Sequence, residues 1–349
     1  MSYEQIRPIF RYPGSKWNLS RHLADIIRGV EFSQYCEPFL GSAAVFLRLH
    51  REELLRGKRC ILNDIDGEIF NLLEVMRSQS AALVESLELT PYSRAEFAIS
   101  ESRSEELSPV ERARRFLVFR NMGHTGQRSR HHSVDNTGSH QRAWQSIGER
   151  VSTASALFRG AEIEKLDATE FLARYSSPES LIYVDPPYLS TEYLYKESKG
   201  MQLDYHRSLA QTLAAVPAAA VVVSYYPHPL LEELYPPSQW ERIEIPARAT
   251  MGNKGYDEAS LARTELLLVR SSLNRLPTIT TETVKAASHK LSKLQRKILK
   301  RLSKADWHRP AFKVHDASLS RALSRLRDRA LVTQTKELTV LGRMVARKL

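Results

Sequence analysis

The sequence predicts an α/β fold, a mostly parallel sheet with helices on both faces, and three observations predict it. Short β-branched or aromatic runs alternate with stretches of helical periodicity through most of the first 270 residues. One run, Leu181-Ile182-Tyr183-Val184, stops abruptly at Asp185-Pro186-Pro187-Tyr188. The chain has 349 residues at 42% hydrophobic content, enough for one large domain and a small one, or for two medium ones.

Strands are expected over residues 34–38, 60–64, 162–166, 181–185 and 219–224. Of these, 181–184 is a short β-branched and aromatic run of the kind a buried parallel strand shows. Helical patterns lie between them at 43–50, 68–78, 169–174 and 207–214. Strand, helix and strand in alternation make a parallel sheet. Two later runs, 240–245 and 265–269, follow without a helix between them and are expected to form an antiparallel hairpin at the sheet's edge.

From about residue 92 to 159 the alternation breaks. Residues 109–121 look helical, with Pro109 one step inside Ser108 as N-cap. The polar stretch 123–138, rich in Gly, His, Arg, Ser and Asn, is too long for an ordinary connection. Residues 144–158 read as one more helix. The whole is expected to be an inserted, mainly helical recognition subdomain.

Charge is uneven. Residues 271–349 carry 19 Lys and Arg against 5 Asp and Glu, a net of +14. The chain as a whole carries +11, so the first 270 residues sum to −3. A near-neutral body with a basic tail points to a polyanion-binding module. After a linker at 271–283, Leu291, Leu294, Ile298 and Leu302 recur at helical spacing. Asp316-Ala317-Ser318 can cap a second helix with Leu319, Leu323, Leu326 and Leu331 as its apolar stripe. A short hairpin and a third helical stretch follow, which is the winged helix-turn-helix order. The run from Ser318 to Val332 resembles the recognition helix and first wing strand of MarR-like regulators. Arg321 and Arg325 occupy its non-core face, where DNA would be met. The alternative is a helical hairpin packed on the body.

No apolar stretch approaches the ~20 residues of a membrane span. The N-terminus has no signal-peptide pattern, so a soluble cytoplasmic protein without a membrane partner is expected. Cys36 and Cys60 are the only cysteines and lie in or beside apolar segments, as buried thiols do. No Cys/His spacing suits zinc, and no metal is expected.

Four segments carry chemistry. Pro186 and Pro187 cannot continue a central strand, so Asp185 and Tyr188 are held at its carboxyl edge, where open α/β sheets bind ligands. An acid, exposed carbonyls and a flat ring suit a planar, amino-bearing group such as a nucleobase. Tyr12-Pro13-Gly14-Ser15-Lys16 is a Pro-Gly turn between an aromatic and a lysine, and Gly14 lets the backbone approach a ligand. Glu37-Pro38-Phe39-Leu40-Gly41-Ser42 is a strand end and small-residue loop, suited equally to a tight turn or a cofactor loop. Asp64 and Asp167 end two further strands. Each alone could be an N-cap. An acid at the Asp64 position can also accept from ribose hydroxyls, as in Rossmann-type sites.

The order Arg-Tyr-Pro-Gly-Ser-Lys, Glu-Pro-Phe-Leu-Gly-Ser, Asn-Asp-Ile-Asp, Asp-Pro-Pro-Tyr resembles the D12 class of DNA adenine-N6 methyltransferases, the group that includes the Dam methylases. Weaker matches include Val223-Ser224-Tyr225 and Arg263-Thr264-Glu265-Leu266-Leu267. The resemblance covers about residues 7–270. It implies a Rossmann-like methyltransferase sheet using S-adenosylmethionine and acting on double-stranded DNA. Its catalytic domain would be residues 1–91 and 160–270, with 92–159 inserted for target recognition and 284–349 the winged helix domain. Tyr12, Pro13, Gly14 and Lys16, with Glu37, Pro38, Phe39 and Gly41, would hold the cofactor. Asp64 would bind its ribose and Asp167 would meet its adenine. Asp185 borders both sites. It would bind the target amine together with the Pro186 carbonyl and Pro187, and Tyr188 would stack on the flipped base. An ordinary carboxylate pKa would suffice for Asp185. Arg128 and Arg130 lie where the family keeps its target-recognition region. Ser15 and Ala43-Ala44 stand where glycines are frequent in the family, small changes in volume that would at most weaken cofactor binding. Most cytosine-N4 enzymes carry Ser in place of Asp185. Transfer to cytosine N4 or to RNA, and a non-catalytic DNA-binding regulator on the same body, are the alternatives. The target sequence, a partner restriction enzyme and the oligomeric state stay open.

Overall fold

The computed structural model describes residues 6–12, 14–123, 138–189, 203–248 and 262–271. The chain divides into two compact units, residues 1–24 with 30–274 and residues 25–29 with 275–349, and the sheet lies in the first. Apart from Ser271, which the structure places at the end of the last strand, the linker expected at 271–283, the winged helix and the loop arginines lie outside the described residues, as does Pro13.

The sheet has seven strands: β1 (Gln34–Glu37), β2 (Arg59–Asn63), β3 (Ala161–Glu164), β4 (Ser180–Val184), β5 (Ala220–Tyr225), β6 (Glu241–Arg248) and β7 (Ala262–Ser271). Their order is β3-β2-β1-β4-β5-β7-β6. The first five are parallel and β7 is antiparallel to both β5 and β6. This is the doubly wound order with an antiparallel hairpin at one edge, as the sequence predicts.

Strands β1, β4 and β5 are buried at every residue. One set of alternating residues, Cys36, Ile182, Val184, Val221 and Val223, packs with Phe171, Leu209 and Leu213. The other set, Tyr35, Leu181, Tyr183, Ala220 and Val222, is equally buried. Side chains alternate between faces of a strand, so both faces of the sheet are covered. Cys36 and Cys60 are buried free thiols, each pushed up to about 12 by burial.

The helices are α1 (Ser20–Ile27), α2 (Ala44–Arg51), α3 (Gly67–Ser78), α4 (Ser80–Glu88), α5 (Arg94–Ile99), α6 (Pro109–Met122), α7 (Ser139–Gln145), α8 (Ile147–Phe158), α9 (Ala168–Tyr175), α10 (Leu203–Ala215) and α11 (Leu231–Leu234). Asp66, Ser108 and Asp167 cap α3, α6 and α9, each accepting a hydrogen bond from the first-turn backbone. Helices α6 and α8 pack on α3 and α4. The single helix expected at 144–158 is two, broken at Ser146. Trp144 ends up buried, its indole donating to the Thr90 carbonyl at 2.8 Å. Among the described residues no helix is long and apolar enough to cross a membrane.

Candidate active site

The sheet order reverses between β1 and β4, the position where open α/β sheets bind ligands. A cavity of about 270 Å³ lies there, at the scale of small-ligand sites (roughly 300 Å³ and upward). Tyr12, Gly14, Lys16, Glu37, Pro38, Phe39, Gly41, Asp64, Asp167, Asp185 and Pro187 all border it. Segments up to 175 residues apart in sequence, from Tyr12 to Pro187, are thus brought to one place. Pro186 and Tyr188 are buried and do not border it.

Asn63 holds the strand ends together. Its buried side-chain amide donates to the carbonyls of Pro38 and Leu166 and accepts from the Leu166 N–H at 2.8 Å. One residue thereby ties the loops after β1, β2 and β3. Asp64 accepts from Gly41 N–H at 2.7 Å and from Asp66 N–H at 3.0 Å. Gly41 has φ +52°, and a Cβ there would sit 3.2 Å from the Tyr12 ring, so glycine is favoured on both counts. Ser15 and Ser42 join the N-terminal turn to this loop by hydroxyls 2.9 Å apart.

Ala43 has φ 55° and ψ 26°, the left-handed region. The cost of alanine at this site is therefore one of backbone conformation, and the expectation framed in side-chain volume misses it. Ser15, by contrast, is not among the positive-φ residues, and its hydroxyl gains a partner.

Asp167 accepts from the Thr169 backbone at 2.8 Å and hydroxyl at 2.6 Å, and from the Tyr205 hydroxyl at 3.2 Å. Burial would raise its carboxyl, but these hydrogen bonds outweigh that and hold it below the ordinary value. Both oxygens are occupied. Tyr205, unremarked in the sequence, borders the cavity beside it.

The opposite side is different, and of its residues Glu265 and Tyr188 are not part of the cavity lining. Lys16 is 7% exposed, and its ammonium donates to the Gly14 carbonyl at 2.7 Å. It lies 3.0 Å from Asp185 Oδ2, 3.6 Å from Glu265 Oε1 and 4.7 Å from the Tyr188 ring centroid. The Tyr188 hydroxyl donates to Glu265 Oε1 at 3.1 Å, and its ring packs against Tyr225 and Tyr226. Burial raises Asp185 above its ordinary value although Lys16 and Tyr188 oppose it, where the sequence called for nothing beyond an ordinary carboxylate. Burial likewise pushes Glu265 up to about 7 against the pull of Lys16. Glu37 is 2% exposed and raised by the same cause, despite a hydrogen bond from Tyr35 at 2.6 Å. Asp185 Oδ1 and Glu265 Oε2 are buried without a hydrogen-bond partner among the described residues.

Sequence reasoning missed Glu265 as a site residue. The available signal was an acid opening the apolar run Leu266-Leu267-Leu268-Val269. Among the described residues no group of His, Cys, Asp and Glu could hold a metal ion.

A family model described as D12 class N6 adenine-specific DNA methyltransferase matches residues 12–250. That is more than half of the chain, and the protein belongs to this family. Membership implies methyl transfer with S-adenosylmethionine as donor. The site fits such a donor: Gly41 leaves room against Tyr12, Phe39 and Leu166 offer apolar wall, and the Asp185 carboxylate borders the cavity with one oxygen unpartnered among the described residues. No curated protein matches the chain. Among solved structures it is similar to a candidate RNA methyltransferase from Pyrococcus horikoshii, at 10% identity and TM-score 0.36, covering 78% of this chain and 91% of that one. It is also similar to the rRNA methyltransferase AviRa of Streptomyces viridochromogenes, at 14% identity and TM-score 0.34, covering 72% and 84%. These likenesses are distant and decide nothing about substrate.

Proposed function

We propose that the protein methylates N6 of adenine in duplex DNA, with the target base flipped out of the helix. The observation that carries this reading is Asp185, a carboxylate at the sheet's switch point with one oxygen on Lys16 and the other unpartnered. When bound, S-adenosylmethionine supplies an electrophilic methyl group. Tyr12, Gly14, Lys16 and the Glu37–Gly41 loop would hold it, with Asp64 toward its ribose and Asp167 toward its adenine.

An exocyclic adenine amine is a weak nucleophile because its lone pair is delocalised into the ring. Asp185 Oδ1 and the Pro186 carbonyl would accept from its two N–H groups and draw the lone pair onto nitrogen. Lys16 keeps the carboxylate fixed and charged while this happens. The rest is positioning, since transfer needs an in-line approach. A base reaching Asp185 has Tyr188 as its nearest ring in that motif. Stacking there, worth ~1–3 kcal/mol, would displace Lys16 from the ring face. Arg128 and Arg130 would contact DNA from the recognition region, and Arg321 and Arg325 from a winged helix. Removing residues 275–349 should then weaken DNA binding and flatten its salt dependence.

The test is tritiated methyl transfer to unmodified DNA, followed by digestion to nucleosides. Asp185→Ala should lower transfer by about 10²–10³-fold, the range seen when one transition-state hydrogen-bonding partner is lost. Equal labelling by wild type and variant would sink the reading. Label in N4-methylcytosine, or in RNA alone, would reassign the substrate.

A further inference from the structure

Glu265 stands outside the motif that defines the site, yet it shares that motif's cation. It enters from β7, on the far side of β5 from Asp185. Its side chain is 6% exposed, and one oxygen faces both the Lys16 ammonium and the Tyr188 hydroxyl. The second oxygen is buried and unpartnered among the described residues. The cross-strand neighbour on β6 is Ile245, which offers no charge. The charged and titratable groups acting on it are Lys16, Asp185, Tyr188 and Tyr183. Two carboxylates therefore share one ammonium, with no second cation among these groups. Ionising a second buried acid beside the first is costly unless it is fully paired, so Glu265 is disposed to take up a proton.

We infer that Glu265 is a positioning residue that acts through Lys16 and serves as final acceptor of the proton released by the methylated amine. The inference rests on the methylation reading above. As the amine nitrogen bonds to the methyl carbon, the carbon–sulfur bond breaks and its electron pair stays on sulfur. The nitrogen then holds one proton in excess, which passes to the Asp185 carboxylate. Lys16 gives one of its protons to Glu265 and takes the one on Asp185. Lys16 thus ends as an ammonium, Asp185 as a carboxylate and Glu265 as a neutral acid. The 3.0 Å contact to Asp185 is within hydrogen-bond reach, and the 3.6 Å ion pair to Glu265 must shorten for a proton to cross it, as catalytic contacts do when substrate binds. The elevated affinity of Glu265 for a proton, at about 7, suits an acceptor working near neutral pH.

The experiment has two arms, both on the full chain. First, protein labelled with ¹³C at the glutamate carboxyls is titrated by NMR without donor or DNA. One carboxyl should titrate near pH 7 in wild type, and its signal should vanish in Glu265→Gln and Glu265→Asp. Absence of such a carboxyl overturns the inference whatever the activity. Second, single-turnover methyl transfer to unmodified plasmid DNA is followed from pH 5.5 to 8.5. Wild type should slow below pH 7, where Glu265 already holds its proton. Glu265→Gln should be slower by about tenfold or more with that step removed, and Glu265→Asp should restore part of the rate and the step. A Gln variant with the wild-type pH profile overturns this inference and leaves the methylation reading standing. A wild type that transfers no methyl group at any pH overturns both.

Discussion

The two sides of the cavity hold the same functional group in opposite states. On the β2–β3 side, Asp64, Asp66 and Asp167 accept hydrogen bonds from backbone N–H groups and hydroxyls. Asp167 is held below its ordinary value despite burial. On the β1–β4–β7 side, Glu37, Asp185 and Glu265 are raised by burial, and Lys16 contacts two of them. Acids satisfied by backbone donors build and fix loops. Acids stripped of water and short of partners store free energy that a reaction can use. The number of acids at a site says less than the donors each one faces.

The largest effect should come from Lys16→Met, which leaves Asp185 and Glu265 buried without their cation. Loss of one partner from a buried pair costs about 3–5 kcal/mol. Urea denaturation at pH 8 should show a deficit of that order. The acids escape the cost by taking up protons, so the deficit should shrink toward pH 5. A deficit independent of pH would mean that Lys16 supports the fold by packing alone.

Glu265→Gln tests the same side more gently. The carboxyl of Glu265 is raised from 4.5 to about 7. A raised acid favours the folded state below its ordinary value and loses that advantage as pH rises through the folded value. By pH 8 the ionised acid costs roughly 3 kcal/mol, which the variant avoids. The melting difference should therefore move in favour of the variant between pH 5 and 8.

Asp167→Ala probes the opposite side and should behave in the opposite sense. It removes an N-cap worth ~1 kcal/mol. A lowered acid stabilises the fold above its ordinary value and loses that only as pH falls through the folded value, below 3.8. The deficit should be constant from pH 5 to 8, and a drift across that range would break the contrast between the sides. The smallest effect is expected from Ala43→Gly. Glycine relieves the left-handed backbone at φ 55° and gives back part of the gain in chain entropy, for a net stabilisation of ~0.5 kcal/mol in the melting curve.

Much of the fold was legible because β4 and β5 are buried on both faces and read as nearly unbroken apolar runs, while β3 (AEIE) is only partly buried and had little beyond the strand-and-helix alternation to mark it. The hairpin was legible for the same reason, with no helical spacing between its two runs. Helices α1, α4, α5, α7 and α11 were not foreseen, each being nine residues or fewer and so offering too few turns for spacing to mark it. The break at Ser146 was hidden because apolar spacing runs through it, and only the docking of Trp144 on Thr90 marks the stop. In the site, Asp185 was legible because Pro186 and Pro187 end a strand beside it. Asp64 read as a ligand for ribose, and the structure adds that it fastens Gly41.

By itself the sequence determined which residues sit at strand ends, since apolar periodicity and proline are local properties. It likewise determined the D12 order of motifs. Only the tertiary structure decided which acids became loop fasteners and which became strained. That outcome depends on water excluded by β7, Tyr188 and Tyr225, and on where one ammonium comes to rest. Lys16 and Glu265 are 249 residues apart, and no spacing rule joins them. Desolvation belongs to the assembled surroundings of a group, so the same carboxylate reads alike in sequence at Asp167 and at Asp185.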